Sequence, residues 1–262
     1  MRVAALYRYP VKGFSCEQCA SLTVLETGRI AGDRVLGFRF ANAAAVGDVW
    51  GIKHEFVALV NTPGIAPLEV TFDHQRLRLR VSFQGSELVD EALDDVGRKR
   101  IAATLEAFVL NLDENPLSAH PERLPIRMVG DGRTPLYQDN VNGYITLHSR
   151  ESLAAVAAAA NTPDLDELRF RSNIAIEGVD AWEEQTWLGR KIRIGEVEFK
   201  FAAAKGRCLA THANPATGKR DLPVMQTLQR AYPKVKPTFA IAMLPDGHGG
   251  TIHVGDKIEV VG

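Results

Sequence analysis

The chain has few cysteines and almost no net charge, and each of these shortages excludes a class of function. Only three of its 262 residues are cysteine, and 31 basic side chains nearly balance 32 acidic ones. A small secreted scaffold stabilised by disulfides carries more cysteine than this, and a nucleic-acid-binding domain usually carries an excess of basic residues. We therefore expect free thiols, a cytoplasmic location and no nucleic-acid partner. A local basic pocket for a small anion is compatible with the overall balance.

Long apolar runs and several catalytic motifs are also missing. The apolar run within residues 1–10 is short and is interrupted by Arg8, so we predict neither a signal peptide nor a membrane span. The sequence has no Walker loop, no His-Glu-x-x-His, no Gly-x-Ser-x-Gly and no well-placed Gly-x-Gly-x-x-Gly. ATP hydrolysis and serine hydrolysis by these motifs are therefore excluded.

Short apolar segments separated by glycine, proline and aspartate turns fill the first ninety residues. They predict strands at 22–25, 35–40, 57–60 and 77–81. Ile101, Leu105 and Val109 then recur at helical spacing, which predicts an amphipathic helix over residues 95–112.

The second half of the chain repeats this mixture of strands and helix. Ser149 is placed to cap a helix that runs through the alanines at 157–160. Alternating segments at 191–194 and 197–201 predict a β-hairpin, and 251–260 predicts a closing strand segment. The linker-like residues 120–125 place a domain boundary, which gives domains 1–120 and 121–262. The predicted fold class is mainly β with peripheral helices.

The chemistry centres on Cys208, which has Lys205 and Arg207 beside it. Cationic neighbours favour a thiolate, and a thiolate is a soft metal ligand. Residues 9–13, 32–34 and 169–173 add basic side chains in short stretches that contain glycine or asparagine. Together these segments indicate an anionic cofactor that a sulfur atom ligates.

In this order the segments resemble the MOSC family, with its N-terminal β-barrel companion domain. The resemblance covers nearly the whole chain and is closest to bacterial relatives of the mitochondrial amidoxime-reducing component. It implies a MOSC β-barrel over 121–262, a β-rich, barrel-like domain over 1–120, and molybdenum cofactor (Mo-molybdopterin) as the ligand. The chain lacks the cysteine-rich ferredoxin segment of some bacterial relatives. We therefore expect no haem or iron–sulfur cluster here and a separate electron donor of the ferredoxin or flavin type.

The resemblance also assigns roles to individual residues. Cys208 is the expected metal ligand and catalytic residue. The expected cofactor-binding residues are Lys12, Gly13, Arg34, Ser149, Arg171, Asn173 and Arg207. Arginine grips phosphate through two donors and lysine acts as a point charge, whereas an asparagine amide can orient polar pterin edges. Gly13 stands where several relatives have serine, so only its backbone N–H can serve the cofactor.

The resemblance therefore implies an oxidoreductase that reduces N-hydroxylated (N–O) or related small-molecule substrates. An alternative of another class is a cofactor carrier or sulfur-transfer module that uses Cys208 without pyridoxal phosphate. A third alternative retains the fold after cofactor binding has been lost. The candidates for a protein side chain that acts as an acid or base are Asp33 and the segment 182–184, which contains Glu183 and Glu184.

A zinc site is the rival metal interpretation. Cys16 and Cys19 have the Cys-x-x-Cys spacing of zinc and redox sites, but no second pair follows them. Cys208 and His212 would complete a Cys3His set if the fold brought all four together. That arrangement predicts tetrahedral zinc and no pterin.

Overall fold

The computed structural model describes residues 1–233 and 236–261. The described part is mainly β, with fifteen strands, three α-helices and several short 3-10 turns. The prediction of a mainly β fold with peripheral helices is confirmed.

The strands are short, and most are bounded by glycine or by turn residues. In chain order they are β1 (Arg2–Arg8), β2 (Glu17–Cys19), β3 (Ser21–Val24), β4 (Gly37–Arg39), β5 (Glu69–Asp73), β6 (Arg78–Phe83), β7 (Ser86–Ala92), β8 (Arg127–Val129), β9 (Ile145–Ser149), β10 (Ile174–Glu177), β11 (Lys191–Ile194), β12 (Val197–Gly206), β13 (Thr238–Pro245), β14 (Gly250–His253) and β15 (Ile258–Val261). The helices are α1 (Asp95–Leu110), α2 (Arg150–Ala160) and α3 (Val224–Ala231).

Eight strands form the largest sheet, in the order β15-β11-β12-β13-β9-β10-β1-β2. Its neighbours pair antiparallel except for the parallel pair β9 and β10. The sheet curls, because an isolated bridge between Arg2 and Lys257 joins β1 to the residues before β15. Within the described residues this contact is a single bridge rather than a continuous ladder, so the barrel expected from the resemblance is not fully closed.

The large sheet encloses one apolar core. Leu6, Leu147, Phe199 and Ile241 come from four of its strands, and all are completely buried. Burial of such side chains is the main stabilising contribution in a sheet of this kind. β1 and β2 therefore share a sheet and a core with strands from residue 145 onward.

A second core lies under the three-stranded sheet β5-β6-β7 and helix α1. Asp94 caps α1 by accepting hydrogen bonds from the backbone N–H groups of Val96 and Gly97. Ile101, Leu105 and Val109 fill the core from one face of α1, as their spacing predicted. The helix ends at Leu110, two residues before the predicted end.

The predicted strand at 57–60 is wrong. Only the Val57 N–H bonds to a strand, at the carbonyl of Phe38, and the chain then turns. The Asn61 side chain fixes this turn by accepting from the Ala58 N–H at 3.0 Å and donating to the Phe56 carbonyl at 2.9 Å. The apolar residues here are thus buried in a turn, and the turn forms part of a cavity wall.

The helix and strand predictions for the second half are confirmed with one change. Ser149 caps α2, and Asn161 ends it in the left-handed region with φ 52°. The strands β11 and β12 form the predicted hairpin. The closing segment is two strands instead of one, because β14 pairs with β3 and β15 pairs with β11. In the described ranges no helix is both long and apolar enough to cross a membrane.

Candidate functional site

A cavity of about 530 Å³ opens where loops from both halves of the chain meet. Seven predicted site residues line it: Lys12, Gly13, Arg34, Arg171, Asn173, Arg207 and Cys208. They come from the loops that follow β1, precede β4, precede β10 and follow β12. Residues far apart in the sequence therefore meet around one space.

Cys208 lies directly after β12 and caps the short 3-10 turn Leu209–His212. Its carbonyl accepts hydrogen bonds from the Thr211 N–H at 3.0 Å and the Thr211 hydroxyl at 2.9 Å. These two bonds fix the backbone at Cys208. The half-buried thiol faces the cavity as a free cysteine.

Lys12 lines the cavity and is almost completely buried. Its ammonium donates to the Tyr137 carbonyl at 2.9 Å and to Asp139 at 2.7 Å. Burial lowers the pKa of Lys12, and Asp139 partly opposes this effect. Burial raises the pKa of the Asp139 carboxyl, but Lys12 outweighs it, and the net shift is downward. Lys12 and Asp139 therefore form a matched ion pair at the cavity wall.

Arg34 and Arg171 both pack against the Tyr9 ring. Their guanidinium carbons are 4.4 Å and 4.3 Å from its centroid. Both arginines adopt positive φ, 50° and 53°, which is uncommon for residues with side chains. Arg34 pairs with Asp33, whereas Arg171 donates to the carbonyl of Phe14. The folded chain thus holds two cations side by side on one aromatic ring.

Arg207 and Lys205 supply cationic donors that the protein leaves free. Arg207 donates through Nε to the Phe239 carbonyl at 2.8 Å and through Nη1 to the Phe170 carbonyl at 2.9 Å. Its third nitrogen, Nη2, is buried and has no partner among the described residues. Burial lowers the pKa of Arg207 to about 10, so the side chain stays charged at neutral pH.

Lys205 lines the same cavity two residues before Arg207. Among the residues that the structure describes, its ammonium forms neither a hydrogen bond nor an ion pair. Burial lowers the pKa of Lys205; Asp139 opposes this change and Arg207 reinforces it. Arg207 Nη2 is a buried donor without an acceptor, and such a donor costs free energy. An anion in the cavity would give both side chains their missing acceptor.

Asn173 lines the cavity, but both polar atoms of its side-chain amide are hydrogen-bonded to other protein groups. Its Nδ2 donates to the Tyr7 carbonyl at 3.2 Å and to Asp33 at 3.3 Å. Its Oδ1 accepts from the N–H and the hydroxyl of Thr146, each at 3.3 Å. Asp33 itself also accepts from the Tyr9 N–H at 2.8 Å. Both side chains therefore hold the cationic loops together.

Ser149 lies outside the cavity lining and is completely buried. Its hydroxyl oxygen accepts from the Ser152 N–H at 3.1 Å and lies 3.0 Å from Glu184. Glu184 also accepts from the Ser152 hydroxyl, and burial raises the pKa of this carboxyl. The Ser149 hydroxyl is thus bonded to the start of α2 and to Glu184. The fold does not bring Ser149 to the cavity that the other predicted residues line.

The zinc alternative is wrong, because the four proposed ligands are not assembled. Cys16 lies in a separate cavity of about 110 Å³ with Tyr9 and Arg171. Cys19 belongs to β2, and the His212 ring accepts from the backbone N–H of Met225. Residues 1–233 and 236–261 contain no group of three or more His, Cys, Asp and Glu that could hold a metal ion.

Sequence reasoning missed two members of the site, Asp139 and Tyr9. It named Lys205 only as a cation beside Cys208 and did not include it among the cofactor-binding residues. Asp139 is 127 residues from Lys12, its partner. Tyr9 acts through the arginines that pack on its ring. No local pattern identifies either of these two roles.

Comparison with known proteins assigns the second part of the chain. Residues 138–259 match the family model of the MOSC domain. This part of the chain is therefore similar to the MOSC domain, and the resemblance seen in the sequence is confirmed there. Arg171, Asn173, Arg207 and Cys208 lie within the matched residues.

Two curated relatives match part of the chain. Mitochondrial amidoxime-reducing component 1 of Danio rerio is 35% identical over 100 residues, which cover 36% of this chain and 30% of that protein. Molybdenum cofactor sulfurase 2 of Culex quinquefasciatus is 30% identical over 106 residues, covering 38% of this chain and 14% of that protein. The matched part spans less than one third of either relative. Among solved structures, the YUAD protein from Bacillus subtilis aligns with 99% of this chain over 94% of its own chain. The TM-score is 0.43 and the sequence identity is 13%.

Proposed function

We propose that the cavity binds molybdenum cofactor and that Cys208 is the protein ligand of its metal. The observation that carries the proposal is the combination, in one cavity, of a free thiol with cationic donors that have no acceptor among the described residues. A soft thiol suits a metal such as molybdenum, and unpaired guanidinium and ammonium groups suit a phosphate. The residues present therefore fit an anionic, sulfur-ligated group.

The residues that line the cavity would have different roles in binding the cofactor. Arg207 and Lys205 would bind the phosphate, because both have free donors. Arg171, which packs on the Tyr9 ring, would add positive charge. Lys12, which is paired with Asp139, would add positive charge at the cavity wall. Cys208 would hold the metal next to these groups. When bound, the cofactor supplies the two-electron redox chemistry, which protein side chains cannot provide.

The proposed reaction is the reduction of N-hydroxylated or related small molecules. Its support is the similarity to a protein named as an amidoxime-reducing component. The electrons would come from a separate donor protein of the ferredoxin or flavin type. We place this activity in the cytoplasm, where free thiols such as Cys208 persist.

A second candidate function is cofactor carriage or sulfur transfer at Cys208, without pyridoxal phosphate. The similarity to a protein named as a molybdenum cofactor sulfurase favours it. Both candidates need the same cavity and thiol. They differ in whether an organic substrate is turned over.

The first test measures molybdenum and pterin in protein from a host that makes the cofactor. Wild-type protein is expected to hold both in equal amounts. Cys208→Ala should lose molybdenum and keep most of the pterin, whereas the matched variant Cys16→Ala should keep both. Lys205→Met should lower the pterin content, and Lys191→Met, on an exposed face of β11, should not. Wild-type protein with no pterin would refute the proposal.

The second test separates the two candidates on loaded protein. Reduction of an N-hydroxylated compound with an artificial electron donor would support the enzyme. Transfer of cofactor to a cofactor-free enzyme, without such turnover, would support the carrier. Cys208→Ala should abolish either activity.

A further inference from the structure

Arg220 contacts the chain immediately after the proposed metal ligand. Its Nη1 donates to the carbonyl of Leu209, the residue that follows Cys208, at 2.6 Å. Its Nη2 donates to the carbonyl of Val60 at 3.0 Å and reaches that of Leu59 at 3.4 Å. Leu59 and Val60 line the cavity together with Cys208. One guanidinium therefore connects the Cys208 turn to another part of the cavity wall.

Glu114 fixes the orientation of this guanidinium. The carboxylate accepts from Arg220 Nε at 2.9 Å and from Nη2 at 2.6 Å. Glu114 follows α1, and it is 106 residues from Arg220 in the sequence. The Arg220 side chain is 20% exposed and that of Glu114 is 55% exposed, so solvent screens the charges and the geometry of the pair matters more than its attraction. Three separate segments thus meet at one planar side chain.

A second arginine holds the other end of the same turn. Arg169 donates to the carbonyl of His212 at 3.1 Å and to both oxygens of Asp221 at 2.7 Å and 3.0 Å. The side chain of Arg169 is only 5% exposed. The turn after Cys208 is therefore fixed at both ends, and Arg220 provides the more accessible contact.

We infer that Arg220, oriented by Glu114, is a positioning residue that sets where the Cys208 thiol stands relative to the cavity wall at Leu59 and Val60. It touches no reacting group itself. Its planar fork donates to a carboxylate and to backbone carbonyls at the same time, and a lysine cannot reproduce this geometry. The inference concerns the cavity of the proposed function, but it follows from contacts within the protein alone.

The first test measures how fast Cys208 reacts with iodoacetamide in the full-length protein, followed by peptide mass spectrometry. Arg220→Lys keeps the positive charge and removes the fork, so changes in rate report geometry and local opening rather than lost charge. Cys208 is expected to react several-fold faster than in the wild type. Cys16 and Cys19 in the same sample should react at unchanged rates, which excludes global unfolding as the cause.

A matched control uses another arginine that pairs with a glutamate. Arg100 pairs with Glu91 at 2.9 Å on the exposed side of α1. Arg100→Lys should leave the rate at Cys208 unchanged. Glu114→Gln should give a smaller increase than Arg220→Lys, because the carbonyl contacts of the guanidinium remain. Equal Cys208 rates in wild type, Arg220→Lys and Glu114→Gln would overturn the inference, as would an equal rise at all three cysteines.

A second readout uses protein from a host that makes the cofactor. Arg220→Lys is expected to retain pterin, since Lys205 and Arg207 are intact, and to hold less molybdenum per pterin. An unchanged molybdenum-to-pterin ratio would count against the inference. Wild-type protein without pterin would refute the proposed function, and the alkylation rates would still decide the role of Arg220.

Discussion

Replacement of Gly13 by alanine tests how closely the cavity wall is packed. Gly13 has φ +88°, and a Cβ there would lie 2.9 Å from Ala58 Cα and 3.0 Å from the Val57 carbonyl oxygen. The backbone conformation alone costs a residue with a side chain about 1–2 kcal/mol. Overlap with neighbouring backbone, which cannot rotate away, adds about 1–3 kcal/mol. Gly13→Ala should therefore reduce the free energy of unfolding by about 2–5 kcal/mol.

The matched control is Gly85, in the turn between β6 and β7. It has φ +76°, and a Cβ added there would meet no described atom within 4 Å. Gly85→Ala should therefore lose only the conformational part, about 1–2 kcal/mol. Denaturant unfolding followed by tryptophan fluorescence measures both, provided that the m-value is unchanged. Equal losses at the two positions would refute the close approach at Gly13.

Two buried carboxyls give opposite pH dependences of stability. Burial raises the pKa of Glu184, so its contribution is full below the ordinary carboxyl range and is lost as the pH rises through the raised pKa. Glu184→Gln should gain thermal stability relative to the wild type as the pH rises above the ordinary carboxyl range, and a constant difference would contradict this. Burial also raises the pKa of Glu167, but hydrogen bonds from His148 and Tyr7 outweigh it and lower the pKa to about 2. Its contribution is lost as the pH falls from the ordinary carboxyl value towards about 2, so Glu167→Gln should flatten acid unfolding in that range, and an unchanged acid limb would contradict the assignment.

The sequence predicts elements whose signals are local. Helix α1 has its cap and its apolar face within one segment, and the hairpin of β11 and β12 joins two alternating segments through Gly195. The run at 57–60 looks the same locally, but a strand needs a partner, and only Val57 finds one among the described residues. Its remaining apolar side chains are satisfied by burial in the turn that Asn61 fixes. Which apolar run pairs is decided by the rest of the fold.

The same holds for the site: residues in local motifs could be predicted, and contacts between distant segments could not. Lys12, Arg171 and Arg207 were identified through short motifs, and the fold brings them to one cavity. The hydrogen bond from Ser149 to Glu184 was not predictable, because Glu184 lies 35 residues further along the chain. The acidic run 182–184 has the local pattern of a solvated turn, yet Glu184 is completely buried. Long-range partners decide which polar residues face the cavity.

The pairing of the cations is stronger support for an anionic ligand than their number. Lys12 and Arg34 have carboxylate partners that neutralise them within the protein. Within the described ranges Lys205 has no such partner, and Arg207 leaves Nη2 buried without an acceptor. An unsatisfied buried donor costs about 1–3 kcal/mol, so folded proteins rarely keep one without a compensating use. Departures of this kind are expected at functional sites, and the one at Arg207 stands directly before Cys208 in the sequence. The free donors and the thiol line one cavity, and this supports the proposed ligand, which combines negative charge with an affinity for sulfur.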